Sequence, residues 1–184
     1  MTDAPARTAV LVIDMQHVFA DPDSPWATPG FPQAESAVAR LVQHWGAQNT
    51  IFTRFVAPEH PRGAWLPYYE QWPFALQPAD SPLWDIVPGL AEFVVRPTVD
   101  AATFGKWSPR LAAELDGYDR MLVAGVSTDC CVLSTVLQAV DAGVETLVVA
   151  DACAGLTPED HQRALDAIGL YAPLAKVVCL AEVL

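Results

Sequence analysis

Apolar runs of strand length alternate along this chain with segments of helical periodicity, which predicts an α/β fold: a parallel sheet with right-handed crossovers and helices on both faces. Three observations carry this. Ala9–Ile13 (AVLVI) and Met121–Ala124 (MLVA) are continuously apolar, as strands covered on both faces are. Between such runs lie stretches with apolar residues three and four apart, such as Ala34, Val38, Leu41, Val42 and Trp45. The 184 residues, 52% of them hydrophobic, suffice for one sizeable core, so residues 1–184 read as a single domain without repeats or linkers.

Composition narrows the function classes. With 10 Lys and Arg against 22 Asp and Glu the formal net charge is −12, which repels phosphate backbones and anionic lipid; neither nucleic acid nor a membrane is an expected partner. The longest apolar runs fall far short of the roughly 20 residues that span a bilayer. The N-terminus, MTDAPARTAV, lacks the charged-then-apolar pattern of a secretion signal. Cys130, Cys131, Cys153 and Cys179 show no paired spacing and fit a reducing compartment, so the cytoplasm is the expected location.

Taken in order, Ala9–Ile13 forms the first strand and sets Asp14 at its carboxyl end, the edge of an open α/β sheet where ligands bind. By itself Asp14 reads equally as a turn cap. Residues 20–32 hold four prolines and form a loop, followed by a helix over 35–45 and a second strand at Thr50–Phe55. Residues 58–88 are irregular and rich in Trp, Tyr and Pro. Loops of this length are commonly functional, so these aromatics form either a satellite core or a lid over an apolar pocket. Phe93–Arg96 reads as a short third strand, Pro109–Leu115 as a helix with proline where a missing N–H is harmless, and Glu145–Ala150 as the fifth strand. Thr157, Pro158 and Asp160 begin another helix, and Lys176–Leu180 reads as the last strand.

The chain is organised around Met121–Thr135, MLVAGVSTDCCVLST, which reads as strand, tight turn and helix over 131–142. A cysteine at such a helix start meets unpaired N–H groups and the positive dipole end, which favours thiolate. Cys130 and Cys131 compete for that place, and either could be a buried small hydrophobe instead. GVSTDCCV resembles the G-V-x-T-D-x-C-V motif of the isochorismatase-like cysteine hydrolases, a family that includes isochorismatases, nicotinamidases and N-carbamoylsarcosine amidases. In that register Cys131 is the nucleophile and Cys130 a tolerant position. The resemblance implies a cis peptide at Val126–Ser127 and an oxyanion hole from the backbone N–H groups of Ser127 and Cys131. AVLVIDMQHVF resembles the family's opening motif, which makes Asp14 the general base. Over nearly the whole chain the resemblance implies a three-layer α/β/α domain with a six-stranded parallel sheet in the order 3-2-1-4-5-6, so that Asp14 and Cys131 face one crevice. It also implies a homodimer or homotetramer acting on a small-molecule substrate.

Four further expectations concern metal, His161, the pocket lining and the lysine. Family members that bind metal carry Asp-x-His after the second strand, whereas this chain has Arg54-Phe55 and an isolated His60, so no metal and no cofactor are expected. His161 matches a helix position and looks structural. Phe19, Trp65, Tyr69 and Trp72 are expected to line the substrate pocket. The family lysine lies in a pattern like K-x-x-[YF]-S-x-[FW]. Aligning Phe104, Gly105 and Trp107 with it puts Ala101 at the lysine position, which predicts a slow enzyme that Ala101→Lys would accelerate. Lys106, five residues on, is a substitute only if the loop is rearranged and otherwise a solvated charge; Arg96 is a weaker substitute, because a guanidinium holds its proton.

The first strand is not followed by G-x-G-x-x-G, which removes a dinucleotide site, and no G-x-S-x-G elbow occurs. The leading expectation is a hydrolase of a small amide, ureido or related C–N bond through an acyl thioester. The alternatives are a catalytically idle binding or assembly protein and a hydrolase of isochorismate-type vinyl ethers.

Overall fold

The computed structural model describes residues 6–184; the first five residues, part of the stretch read as leaderless, lie outside the described residues. Six parallel strands form one sheet, β1 (Thr8–Ile13), β2 (Thr50–Phe55), β3 (Val99–Ala101), β4 (Arg120–Val126), β5 (Glu145–Ala154) and β6 (Ala175–Val178). Their spatial order is β3-β2-β1-β4-β5-β6, the expected one. The helices are α1 (His17–Ala20), α2 (Phe31–Trp45), α3 (Trp65–Gln71), α4 (Pro88–Ala91), α5 (Pro109–Glu114), α6 (Leu133–Asp141), α7 (Pro158–Gly169) and α8 (Leu180–Val183).

Every residue of β1 is buried because the strand is central and covered on both faces. Val10 and Val12 join one core with Val38 and Leu41 of α2; Ala9, Leu11 and Ile13 join the other with Leu111 of α5, Val136 of α6 and Ile168 of α7. β1 and β4 pair in register from Thr8↔Arg120 to Ile13↔Gly125, so the residues that leave both strands at their carboxyl ends are neighbours. Glycine is required at 125: its φ is 116°, and a Cβ there would lie 2.1 Å from the Ile13 carbonyl oxygen. Asp14 is the one non-glycine residue described with positive φ, at 51°, a region that Asp tolerates better than most residues.

Several boundaries differ from expectation. The third strand lies at Val99–Ala101, not Phe93–Arg96. The chain turns at 93–95, where the Val95 N–H donates to the Phe93 carbonyl, and it becomes strand only after Pro97, where Thr53↔Val99 pairing begins and Arg54 forks onto the Asp100 carboxylate. β5 runs on to Ala154 past a register shift opposite Val123 and Gly125. β6 ends at Val178, because the Leu180 N–H is taken by the Asp151 carboxylate and a last helical turn begins. The helix expected over 131–142 starts as a wider turn at Thr128–Val132 and becomes α-helical at Leu133.

Candidate active site

The carboxyl ends of β1 and β4 deliver Asp14 and the Ser127–Cys131 turn to one place. Asp14 is fully buried. Its Oδ1 accepts a 2.6 Å hydrogen bond from the Thr53 hydroxyl of β2, and its Oδ2 lies 2.8 Å from Lys106 Nζ. That ammonium is itself fully buried, donates to the Thr103 carbonyl at 2.8 Å, and sits 5.0 Å from the centroid of the Phe55 ring. Removing either charge from water costs several kcal/mol, so each is tenable there because the other is present.

The lysine alignment is thereby corrected. Ala101 is the last residue of β3, paired with Phe55, and the site's ammonium comes from Lys106; it is no solvated charge. The loop closes on itself through the Thr103 hydroxyl to the Gly105 carbonyl. Thr135 then holds it: its Oγ1 accepts from the Lys106 N–H at 3.0 Å and donates to the Cys131 carbonyl at 2.6 Å, tying the lysine loop to the turn that bears the cysteine. Arg96 is engaged elsewhere, with Glu114 and the Gln48 carbonyl.

Cys131 is 3% exposed. Burial pushes its thiol well above the usual range, the Lys106 ammonium works against this, and the Asp14 charge and hydrogen bond reinforce it. Burial thus opposes the thiolate that a helix start favours, and the Lys106 ammonium favours it. Cys130, half-buried, is pushed up to about 11 by burial and by Asp129, whose Oδ2 lies 3.7 Å from its sulfur. The Val126–Ser127 peptide is cis, and the N–H groups of Cys130 and Val132 both donate to the Ser127 carbonyl, so the Cys131 N–H stands between two that are already used. His161 Nδ1 lies 2.8 Å from the Thr128 hydroxyl, bracing the same turn from α7.

Over Cys131 opens a pocket of about 280 Å³. One wall is the turn itself, with Ser127, Asp129, Cys130 and Cys131; the remainder is largely aromatic, with Phe19, Trp26, Phe55, Tyr68, Trp72 and Phe104. A domain model described as "Isochorismatase domain" matches residues 8–182, the whole of this architecture. The chain belongs to the isochorismatase domain family. Among curated relatives, isochorismatase domain-containing protein 2A of Mus musculus is 33% identical over 99 residues, covering 52% of this chain, and isochorismatase domain-containing protein 2 of Xenopus laevis is 26% identical over 163 residues, covering 86%. The matches span 44% and 66% of those relatives' own lengths. Among solved structures, a cysteine hydrolase from Pseudomonas syringae pv. phaseolicola 1448A superposes with a TM-score of 0.83 at 22% identity, covering 100% of this chain and 96% of that one. The pyrazinamidase of Pyrococcus horikoshii in complex with zinc gives 0.74 at 24% identity, with 94% and 99% covered. At those identities the likeness is one of isochorismatase-like fold.

Of the expected lining residues, Phe19 and Trp72 face the pocket, while Trp65 and Tyr69 do not. The residues turned to the pocket here are Tyr68 of α3 and Trp72, which follows the helix directly. Tyr69, one position on and so about 100° around the helix, is buried, and Trp65 stands behind, edge-on to Phe104 with centroids 5.2 Å apart. The sequence reading missed Trp26, Tyr68, Phe104 and the supports Thr53 and Thr135. It also missed Gln16, whose buried amide bonds the Phe55 N–H and the carbonyls of Phe55 and Trp84, tying the aromatic segment to β2. The only signal for these was residue type. His60 is exposed, and among the described residues no group of three or more His, Cys, Asp or Glu is placed to hold a metal ion. No helix of the described residues is long and apolar enough to cross a membrane.

Proposed function

We propose that this chain is a cysteine hydrolase that cleaves the C–N bond of a small amide or ureido compound through an acyl thioester. The observation that supports this most is the Asp14–Lys106 pair, 2.8 Å apart and fully buried, beside the Cys131 thiol at the closed end of an apolar pocket. Asp14 accepts the thiol proton as Cys131 Sγ bonds to the substrate carbonyl carbon; the carbonyl oxygen becomes an oxyanion facing the Ser127 and Cys131 N–H groups. As the C–N bond breaks, Asp14 returns the proton to the leaving nitrogen. Water then attacks the thioester with Asp14 again as base, releasing the acid and restoring the thiol. Lys106 faces Asp14 at 2.8 Å and lowers the cost of charge on sulfur, as its opposing effect on the Cys131 thiol indicates. Burial opposes that charge, so the thiol needs a base as it attacks, and Asp14 serves as that base.

The test is turnover of a panel of small carboxamides and carbamoyl compounds by the whole protein, with hydroxylamine trapping of the acyl enzyme followed by mass spectrometry at Cys131. A hydrolysed amide without any acyl adduct, or full activity in Cys131→Ala, overturns the covalent mechanism. The idle-protein reading rested on a missing lysine, and Lys106 removes that support. A dicarboxylate vinyl ether is disfavoured because no Lys, Arg or His lines the pocket. Assembly as a dimer or tetramer belongs to this proposal and is measured by sedimentation.

A further inference from the structure

The pocket lining carries formal charge of one sign. Among the described residues Asp129 is its sole carboxylate, and no cationic side chain faces it. Lys106 lies behind the Phe55 ring, fully buried, with its ammonium committed to Asp14 and the Thr103 carbonyl. Asp129 takes part in none of the ion pairs among the described residues. Its hydrogen bonds come from neutral donors, the Ser127 hydroxyl, the Leu156 N–H at 3.0 Å and the Cys130 thiol, so its negative charge is dispersed and not neutralised. His161, the titratable group braced against the same turn, is lowered by burial, with the Asp129 charge working against this.

Aromatic rings line most of the rest of the pocket. Trp26 stacks on Phe19 with centroids 6.2 Å apart and meets Phe55 edge-on at 5.6 Å, and Tyr68 and Phe104 are 5.8 Å apart. Aromatic faces are negative, and a box of them recognises quaternary ammonium groups, which bring charge without donors that need partners. A carboxylate in the same box would lose its water, find no cation and meet Asp129. The chain's net charge of −12 extends the preference outward by drawing cations toward the surface. Resting on the amidase reading above, we propose that the non-scissile part of the substrate is a compact organic cation, a quaternary or tertiary ammonium, held by the aromatic box and Asp129.

Three probes of similar size separate the charge classes: trimethylglycinamide (cation), 3,3-dimethylbutanamide (its neutral isostere) and succinamate (anion). With the whole protein at low salt, kcat/KM for the cation should exceed that of the neutral amide by about tenfold or more, with succinamate lowest, and the cation's advantage should shrink as salt screens the field. Trp72→Leu should lower the cation-to-neutral ratio about tenfold. Tyr68→Leu is the second variant should the first be unstable. A neutral amide used as well as the cation, or succinamate used best, overturns the proposal. Calorimetry on Cys131→Ala separates the two readings. If no probe is hydrolysed yet trimethylglycinamide binds at least tenfold more tightly than the neutral isostere, the amidase reading fails and the cation site stands. Without turnover and without that preference, both fall.

Discussion

Replacing Lys106 by Met keeps the length of the side chain and removes its charge. At 2.8 Å the ammonium and the Asp14 carboxylate attract by about 6 kcal/mol at an effective dielectric of ~20, and neither has water as an alternative partner. Removing one member of such a buried pair costs about 3–5 kcal/mol, because the other is left charged and unpaired. Asp14 then lacks the charge that faces it and its support as a base for Cys131. Lys106→Met should therefore lower the unfolding free energy by about 3 kcal/mol or more and lower kcat/KM by about 10²–10⁴, the scale of one positioned acid-base or electrostatic group. Urea unfolding and steady-state kinetics measure the two effects. The double variant Asp14→Asn/Lys106→Met should regain much of the lost stability with no recovery of rate. A single variant within about 0.5 kcal/mol and threefold of the parent would refute the reasoning, since the pair would then carry neither stability nor chemistry. By the same geometry, Ala101→Lys should give no acceleration.

The remaining predictions concern the supports and the thiols. Thr135→Val removes the hydroxyl shared by the Lys106 N–H and the Cys131 carbonyl, and should cost about 1–3 kcal/mol in thermal unfolding together with a loss of kcat. Both thiols are raised, but Cys131 has Asp14 as a base and Lys106 as a counter-charge whereas Cys130 has Asp129 alone, so iodoacetamide at neutral pH should label Cys131 ahead of Cys130; Asp14→Asn should slow labelling at Cys131 alone, read by peptide mass spectrometry, and equal rates at 130 and 131 would contradict this. The thiols of Cys130, Cys131 and Cys153 are all raised above the unfolded value, so they contribute stability that is present below about pH 9 and lost as the pH climbs toward their folded values; the melting temperature should fall on that side. His161 has the opposite sign: burial lowers it, so its contribution is present above about pH 6.5 and lost on acidification, and His161→Gln should flatten the acid side. Hydrolytic activity should survive exhaustive chelation with EDTA.

The sequence by itself determined the parallel α/β architecture and the two strand ends that matter; the strand order came from the resemblance of its motifs to the family. Continuous apolar runs such as Ala9–Ile13 and Met121–Ala124 state burial on both faces without any knowledge of the neighbours. A motif such as GVSTDCCV is legible because its backbone requirements, the positive φ of Gly125 above all, are written in a few consecutive residues. The position of Lys106 was not legible, because a five-residue offset is settled by how the loop folds back through Thr103 and is held by Thr135, which lies 29 residues further on. The surroundings of the Cys131 sulfur were not legible either. The dipole of a helix start can be read from sequence, but the desolvation that opposes it depends on everything packed around the sulfur. Residue type showed that the segment 58–88 was aromatic, while the tertiary structure decided that Tyr68 faces the pocket and Tyr69 the core, because one step along a helix turns a side chain by about 100° and only the neighbouring surface fixes which direction is inward.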